Sequence, residues 1–147
     1  MSNTEELTIF LIDDDDVACE SVERSLKKLG VPFPIVTAGD GIEALQILRG
    51  QHPKKRITGP FVTLLDLNMP RMNGFEFLSE MRADADLAAN VVYILTTSND
   101  DNDRTRAYAE YIAGYMVKSM VGPQFSKLSN LLINYKAAVT LPQWPTK

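Results

Sequence analysis

Short, almost wholly apolar runs alternate along the chain with longer segments in which apolar residues recur at helical spacing. The short runs are Ile9-Phe10-Leu11-Ile12, Ile35-Val36-Thr37-Ala38, Phe61-Val62-Thr63-Leu64-Leu65, Val91 to Leu95, and Tyr115-Met116-Val117. They are rich in β-branched and aromatic residues, and strands buried on both faces of a parallel sheet read this way. Between them, Val17, Val22, Leu26 and Leu29 follow a run of aspartates and precede Gly30, a capped and terminated helix. Ile42, Leu45 and Leu48 mark a second helix closed by Gly50, and Phe75, Leu78 and Met81 a third after Gly74. Asp100 or Asp103 caps a fourth that carries Tyr108, Tyr111 and Ile112. Pro123 suits the first turn of a fifth, with Phe125, Leu128, Leu131, Leu132 and Tyr135 on its apolar side.

Five strand–helix repeats at this spacing predict an α/β fold, with right-handed crossovers and helices on both faces of a parallel sheet. One connection is long: Gly50 to Pro60, with Lys54, Lys55 and Arg56, reads as a solvated loop. His52 within it is read as a bystander. The stretch from Ala137 to Lys147 has Pro142 and Pro145 and no helical period. Trp144 there is either packed on the domain or open to a second subunit.

Composition narrows the class. The 147 residues suit one domain, and 45% hydrophobic with 23% charged residues describes a globular chain. A net charge of −4 gives no general reason to expect nucleic acid or an acidic membrane as partner. The single cysteine, Cys19, excludes an intrachain disulfide and a cysteine-based zinc site. The polar, acidic start is unlike a secretory signal, and no run reaches the ~20 apolar residues of a membrane span. A cytoplasmic location is the expectation.

The chemistry lies at the strand ends, because ligands of open parallel sheets gather outside the carboxyl edge. Strand one ends in Asp13 and Asp14, strand three in Asp66, strand four in Thr96 and Thr97, and strand five in Lys118. Clustered carboxylates repel unless a cation sits among them, and an all-oxygen donor set favours Mg²⁺. An ionised aspartate beside such a cation is a competent nucleophile toward phosphorus. Mg²⁺, Lys118 and the Thr96 hydroxyl would then meet the three oxygens of a transferred phosphoryl group.

With the acid pair Asp13-Asp14, the segment Asp66-Leu-Asn-Met-Pro-Arg-Met-Asn-Gly74, Thr96, and Lys118 after Gly114-Tyr115-Met116-Val117, the chain resembles CheY-like receiver domains of two-component signalling. The likeness covers essentially Leu7 to Tyr135. It implies a flavodoxin-like, doubly wound sheet of five parallel strands in the order 2-1-3-4-5, with five helices. It further implies one receiver domain over 1–147, with a core of about 7–135, a tail over 136–147 and no output domain. Asp66 would be the phosphoacceptor. Asp14 and Asp66 would bind Mg²⁺, with Asp13 acting partly through water and the Asn68 carbonyl as a further ligand. Thr96 and Tyr115 would form a switch pair, Lys118 would meet the phosphoryl group, and Asn68 and Ser98 would tune its lifetime.

The expected donor is a histidine kinase or phosphotransfer protein, and the output a downstream protein met through helix four, strand five and helix five. A homodimer through helix four to helix five is one assembly the pattern allows. Two departures stand out: Ser119 follows the lysine where such domains usually have proline, and the loop after helix two is long. Stand-alone regulators of phytochrome-type kinases often carry such a loop. Two rivals remain. One is an interaction module that works without phosphorylation. The other is an aspartyl phosphohydrolase, which commonly needs a second acid two residues after the nucleophile, where this chain has Asn68.

Overall fold

The computed structural model describes residues 6–30 and 33–141. Its element order is β1 (Thr8–Ile12), α1 (Asp16–Lys28), β2 (Ile35–Ala38), α2 (Gly41–Leu48), β3 (Phe61–Leu65), α3 (Gly74–Ala83), β4 (Val92–Thr96), α4 (Asp101–Tyr108), β5 (Gly114–Val117) and α5 (Ser126–Ala138). The strands form one parallel sheet in the order β2-β1-β3-β4-β5. This is the doubly wound arrangement that the pattern and the resemblance predict. Trp144, Pro142 and Pro145 lie outside the described residues.

Period-two alternation splits each central strand between two cores. Phe10, Ile12, Phe61, Leu65 and Ile94 pack with Leu45 of α2, Phe77, Leu78 and Met81 of α3, and Ala107 of α4. On the other face Ile9, Leu11, Val62, Leu64 and Leu95 meet Val22 and Leu26 of α1 and Leu128 and Leu132 of α5. The central strands β1 and β3 are buried throughout, whereas β2 and β5 are half-buried edges.

Three sequence readings need correction. Helix α4 stops at Tyr108, so Tyr111 and Ile112 are not on it; Tyr111 has φ +61° and is 81% exposed. The cause is tertiary. Arg82 of α3 donates to the carbonyl oxygens of Glu110 (2.8 Å) and Tyr111 (3.0 Å), holding that segment in a turn. Pro123 opens a separate 3₁₀ turn, and α5 begins only at Ser126, because Gln124 and Phe125 take left-handed backbone (φ +55° and +57°).

The loop after α2 is also more than solvated chain. The His52 side chain is only 12% exposed, bonded through Nε2 to Glu43 of α2 at 3.1 Å. Its Nδ1 accepts the Lys54 and Lys55 amides at 3.1 and 2.9 Å, and Lys55 Nζ donates to the Thr37 carbonyl at 2.8 Å. His52 therefore pins the loop over α2 and the end of β2.

Candidate functional site

Register brings the acids together. Ile12 pairs with Leu65, so the next residues, Asp13 and Asp66, leave neighbouring strands at one level. Their backbones stay in the ladder: the Asp66 amide donates to Ile12 O and the Asp13 amide to Ala38 O, each at 2.9 Å. Thr96 pairs with Val117, which places Lys118 just beyond the same edge. The Asp15 side chain caps α1 through the Val17 and Ala18 amides, leaving Asp13 and Asp14 to face the site.

Carboxylate oxygens of Asp13, Asp14 and Asp66 lie within 4.8 Å of one another. Asp13 and Asp66 are buried and Asp14 is exposed at the mouth. Lys118 Nζ is 2.7 Å from Asp13 Oδ2 and 4.0 Å from Asp66 Oδ2. Asp66 Oδ1 is buried and, among the described residues, has no hydrogen-bond partner. A buried charged oxygen left without a donor is costly, so this atom is shaped for a ligand the polypeptide does not supply. The donor set fits a hard divalent cation: three carboxylates in reach of one point, one of them open to water.

Electrostatics agree. Burial, then the charge of Asp13, raises the Asp66 pKa; Lys118, the Thr96 hydroxyl and the Asn68 amide pull it back without cancelling the shift. For Lys118, burial favours the neutral amine, but the hydrogen bond and charge of Asp13, with Asp66 and Asp15, outweigh it, and its pKa is raised. The ammonium is therefore firmly charged. Cys19 beneath Asp13 is no nucleophile: burial and nearby acids push its thiol up to about 12.

Thr96 is fully buried, its Oγ1 accepting the Ser98 amide at 3.4 Å, while Thr97 is exposed. The half-buried Tyr115 donates its hydroxyl to the Ser98 carbonyl at 3.0 Å, with the Arg104 guanidinium 5.4 Å from its ring centre. Thr96 and Tyr115 thus hold the same residue from two sides. The Ser98 hydroxyl itself donates to Asp103 of α4 at 2.7 Å. Asn68 is exposed at the start of the loop between β3 and α3. Among the described residues no peptide bond is cis, so Lys118–Ser119 is trans.

Two features escaped the sequence reading. Beside the acids a cleft of about 300 Å³ opens between α1 and the end of β2, with Asp16, Glu20, Thr37, Glu43 and Lys55 on its walls. Across the site, buried Asp40 pairs with Arg71 at 2.7 Å. Asp40 also caps α2, its Oδ1 accepting the Glu43 amide at 2.9 Å.

Known proteins supply independent comparisons. The sequence profile of the response regulator receiver domain matches residues 9–129. The probable methanogenesis regulatory protein FilR2 of Methanothrix harundinacea is 34% identical over 112 residues, 76% of this chain and 72% of that one. Response regulator Rcp1 of Synechocystis sp. is 29% identical over 135 residues, 91% of this chain and 92% of its own length. Among solved structures, the phosphorylated cyanobacterial phytochrome response regulator RcpA superposes with a TM-score of 0.81 at 29% identity, covering 95% of this chain and 100% of that one. The Mn²⁺-bound form of Rcp1 gives 0.79 at 28% identity, covering 94% and 99%.

Proposed function

The chain belongs to the response regulator receiver family of two-component signalling, and on that footing we propose that Asp66 accepts a phosphoryl group. A carboxylate oxygen of Asp66 attacks phosphorus of a phosphohistidine on a kinase or phosphotransfer protein; the P–N bond breaks, an O–P bond forms, and the histidine leaves. Asp13, Asp14 and Asp66, with the Asn68 carbonyl, would hold Mg²⁺, which would supply positive charge against the phosphoryl oxygens. Lys118 swings from Asp13 to a second oxygen, and the Thr96 hydroxyl meets a third. The observation that carries this reading is Asp66 Oδ1, buried and, among the described residues, without a hydrogen-bond partner, amid acids and beside an ammonium.

The acyl phosphate adds charge and acceptor oxygens where Thr96 stands. Moving Thr96 toward it disturbs Ser98, and with Ser98 the hydroxyl contact of Tyr115. The face of α4, β5 and α5 then changes for a downstream protein. The likeness to RcpA and Rcp1 makes a phytochrome-type kinase the first donor to try.

Intact mass after incubation with Mg²⁺ and acetyl phosphate tests the acceptor. The expected result is one added phosphoryl group on wild type and none on Asp66→Asn. No gain on wild type, with Mg²⁺ binding shown separately, would favour a module that works without phosphorylation.

A further inference from the structure

The loop running from β3 to α3 carries Asn68, and two sets of contacts fix its path. At its end the Gly74 amide donates to Leu67 O at 3.0 Å, and a Cβ on Gly74 would stand 2.8 Å from Leu67 Cα. In its middle it is fastened to the start of α2. The Gly41 amide donates to Met72 O at 2.9 Å, and the Met72 side chain fills the space a Gly41 Cβ would need, 2.6 Å from its Cγ. Between these anchors Arg71 takes left-handed backbone, φ +63°. A non-glycine residue keeps that conformation only where its surroundings hold it there.

What holds it is Asp40. Both Arg71 Nε and a terminal guanidinium nitrogen reach Asp40 Oδ2 at 2.7 Å, while Oδ1 accepts the Glu43 amide at 2.9 Å as the cap of α2. Asp40 is buried whereas the Arg71 side chain is 60% exposed. The acid is thus a fixed post on α2 and the arginine a tether from the loop. Capping alone needs only one oxygen of Asp40; the other serves the loop.

We propose that Asp40 and Arg71 are positioning residues for the divalent-cation site, their ion pair setting the loop so that the Asn68 backbone meets Asp66 and the cation. The inference rests on the cation-assisted role proposed above for Asp66. Neither residue belongs to the cluster of Asp13, Asp14 and Asp66. They act through the loop, as groups behind metal ligands do. A merely structural tie between α2 and α3 would lower stability and leave cation affinity alone.

Calorimetric titration of the full chain with Mg²⁺ separates these cases, read beside thermal melts in EDTA and amide hydrogen exchange over residues 67–73. Asp40→Asn keeps a capping oxygen but loses the charge. Arg71→Gly loses the guanidinium but relieves the left-handed backbone, so its folding is protected. Arg71→Lys keeps charge without the fork. The expected result is about tenfold weaker Mg²⁺ binding in Asp40→Asn and Arg71→Gly, smaller loss in Arg71→Lys, and faster exchange across the loop. Wild-type affinity in both variants would overturn the clamp while leaving the role of Asp66 intact. Failure of wild type itself to bind Mg²⁺ would overturn both.

Discussion

Lys118 Nζ sits 2.7 Å from Asp13 Oδ2 but 4.0 Å from Asp66 Oδ2, so the ammonium is bonded to the deeper acid and only near the proposed acceptor. Both partners are well shielded, with side-chain exposures of 13% for the lysine and 2% for Asp13. Removing the cation strands two buried carboxylates. Lys118→Met is expected to cost about 2–4 kcal/mol of stability in EDTA, toward the low end of broken buried pairs because the acids can take up a proton. Asp13→Asn in the same chain should recover much of it, since the pair is then removed together. Urea melts of the two single variants and the double variant give the coupling directly; additive losses would show that the contact contributes nothing.

Asp66→Asn should stabilise the protein in EDTA. Burial and the charge of Asp13 raise the pKa of Asp66, which means that its ionised form is disfavoured by folding. The neutral amide escapes that penalty. A rise in Tm of about 2–5 °C corresponds to roughly 1 kcal/mol for a domain of this size. Saturating Mg²⁺ should reverse the order, because binding to the folded state adds stability that the variant largely forgoes. Melting curves with and without Mg²⁺ test both signs.

Gly74→Ala tests how tightly the acceptor's backbone is fixed. Its Cβ would press on the Asp66 carbonyl and Leu67 Cα, both backbone and unable to swing away. The expected cost is about 1–3 kcal/mol, as for other overpacked sites, with slower phosphoryl uptake from acetyl phosphate. Gly39→Ala is the control, because its Cβ would meet only Glu43 Oε1 at 3.8 Å. Equal uptake by the two variants would show that Gly74 matters only for packing.

The strands and the acids were legible because their signals are local. Four of the five apolar runs end at a charged or hydroxylated residue, and a parallel sheet puts all such ends on one edge, so Asp13, Asp66, Thr96 and Lys118 could be placed together from order alone. Strand order came with the receiver likeness. What could not be read depends on contacts between distant turns. Arg71 and Asp40 are 31 residues apart, and neither position has a periodicity to join them. The end of α4 is set by Arg82 on another helix, so Tyr111 and Ile112 beyond it kept a helical look that the fold overrides. The direction of the Ser98 hydroxyl was hidden for a different reason: its partner, Asp103, is only five residues on, in the first turn of α4, but no periodicity says which way a loop hydroxyl turns.

His52 looked idle in the sequence, and its network yields a pH-dependent prediction. Glu43 Oε1 accepts the Gly39 amide at 2.8 Å, and Oε2 faces His52 at 3.1 Å and Lys55 at 3.6 Å. Burial pushes the Glu43 carboxyl up, but the Gly39 amide, His52 and Lys55 outweigh it, so its pKa is lowered. A lowered carboxylate pKa adds stability above the ordinary carboxylate range, and that gain is lost as pH falls through the folded value. Glu43→Gln should therefore destabilise the protein at neutral pH and lose that effect in acid. Because the side chain is 27% exposed and screened by water, the neutral-pH cost should stay under about 1 kcal/mol. His52→Ala differs, since it strands the Lys54 and Lys55 amides whether or not Glu43 is charged. Urea melts at both pH values separate the two: a Glu43→Gln deficit that persists in acid would assign its role to packing rather than charge.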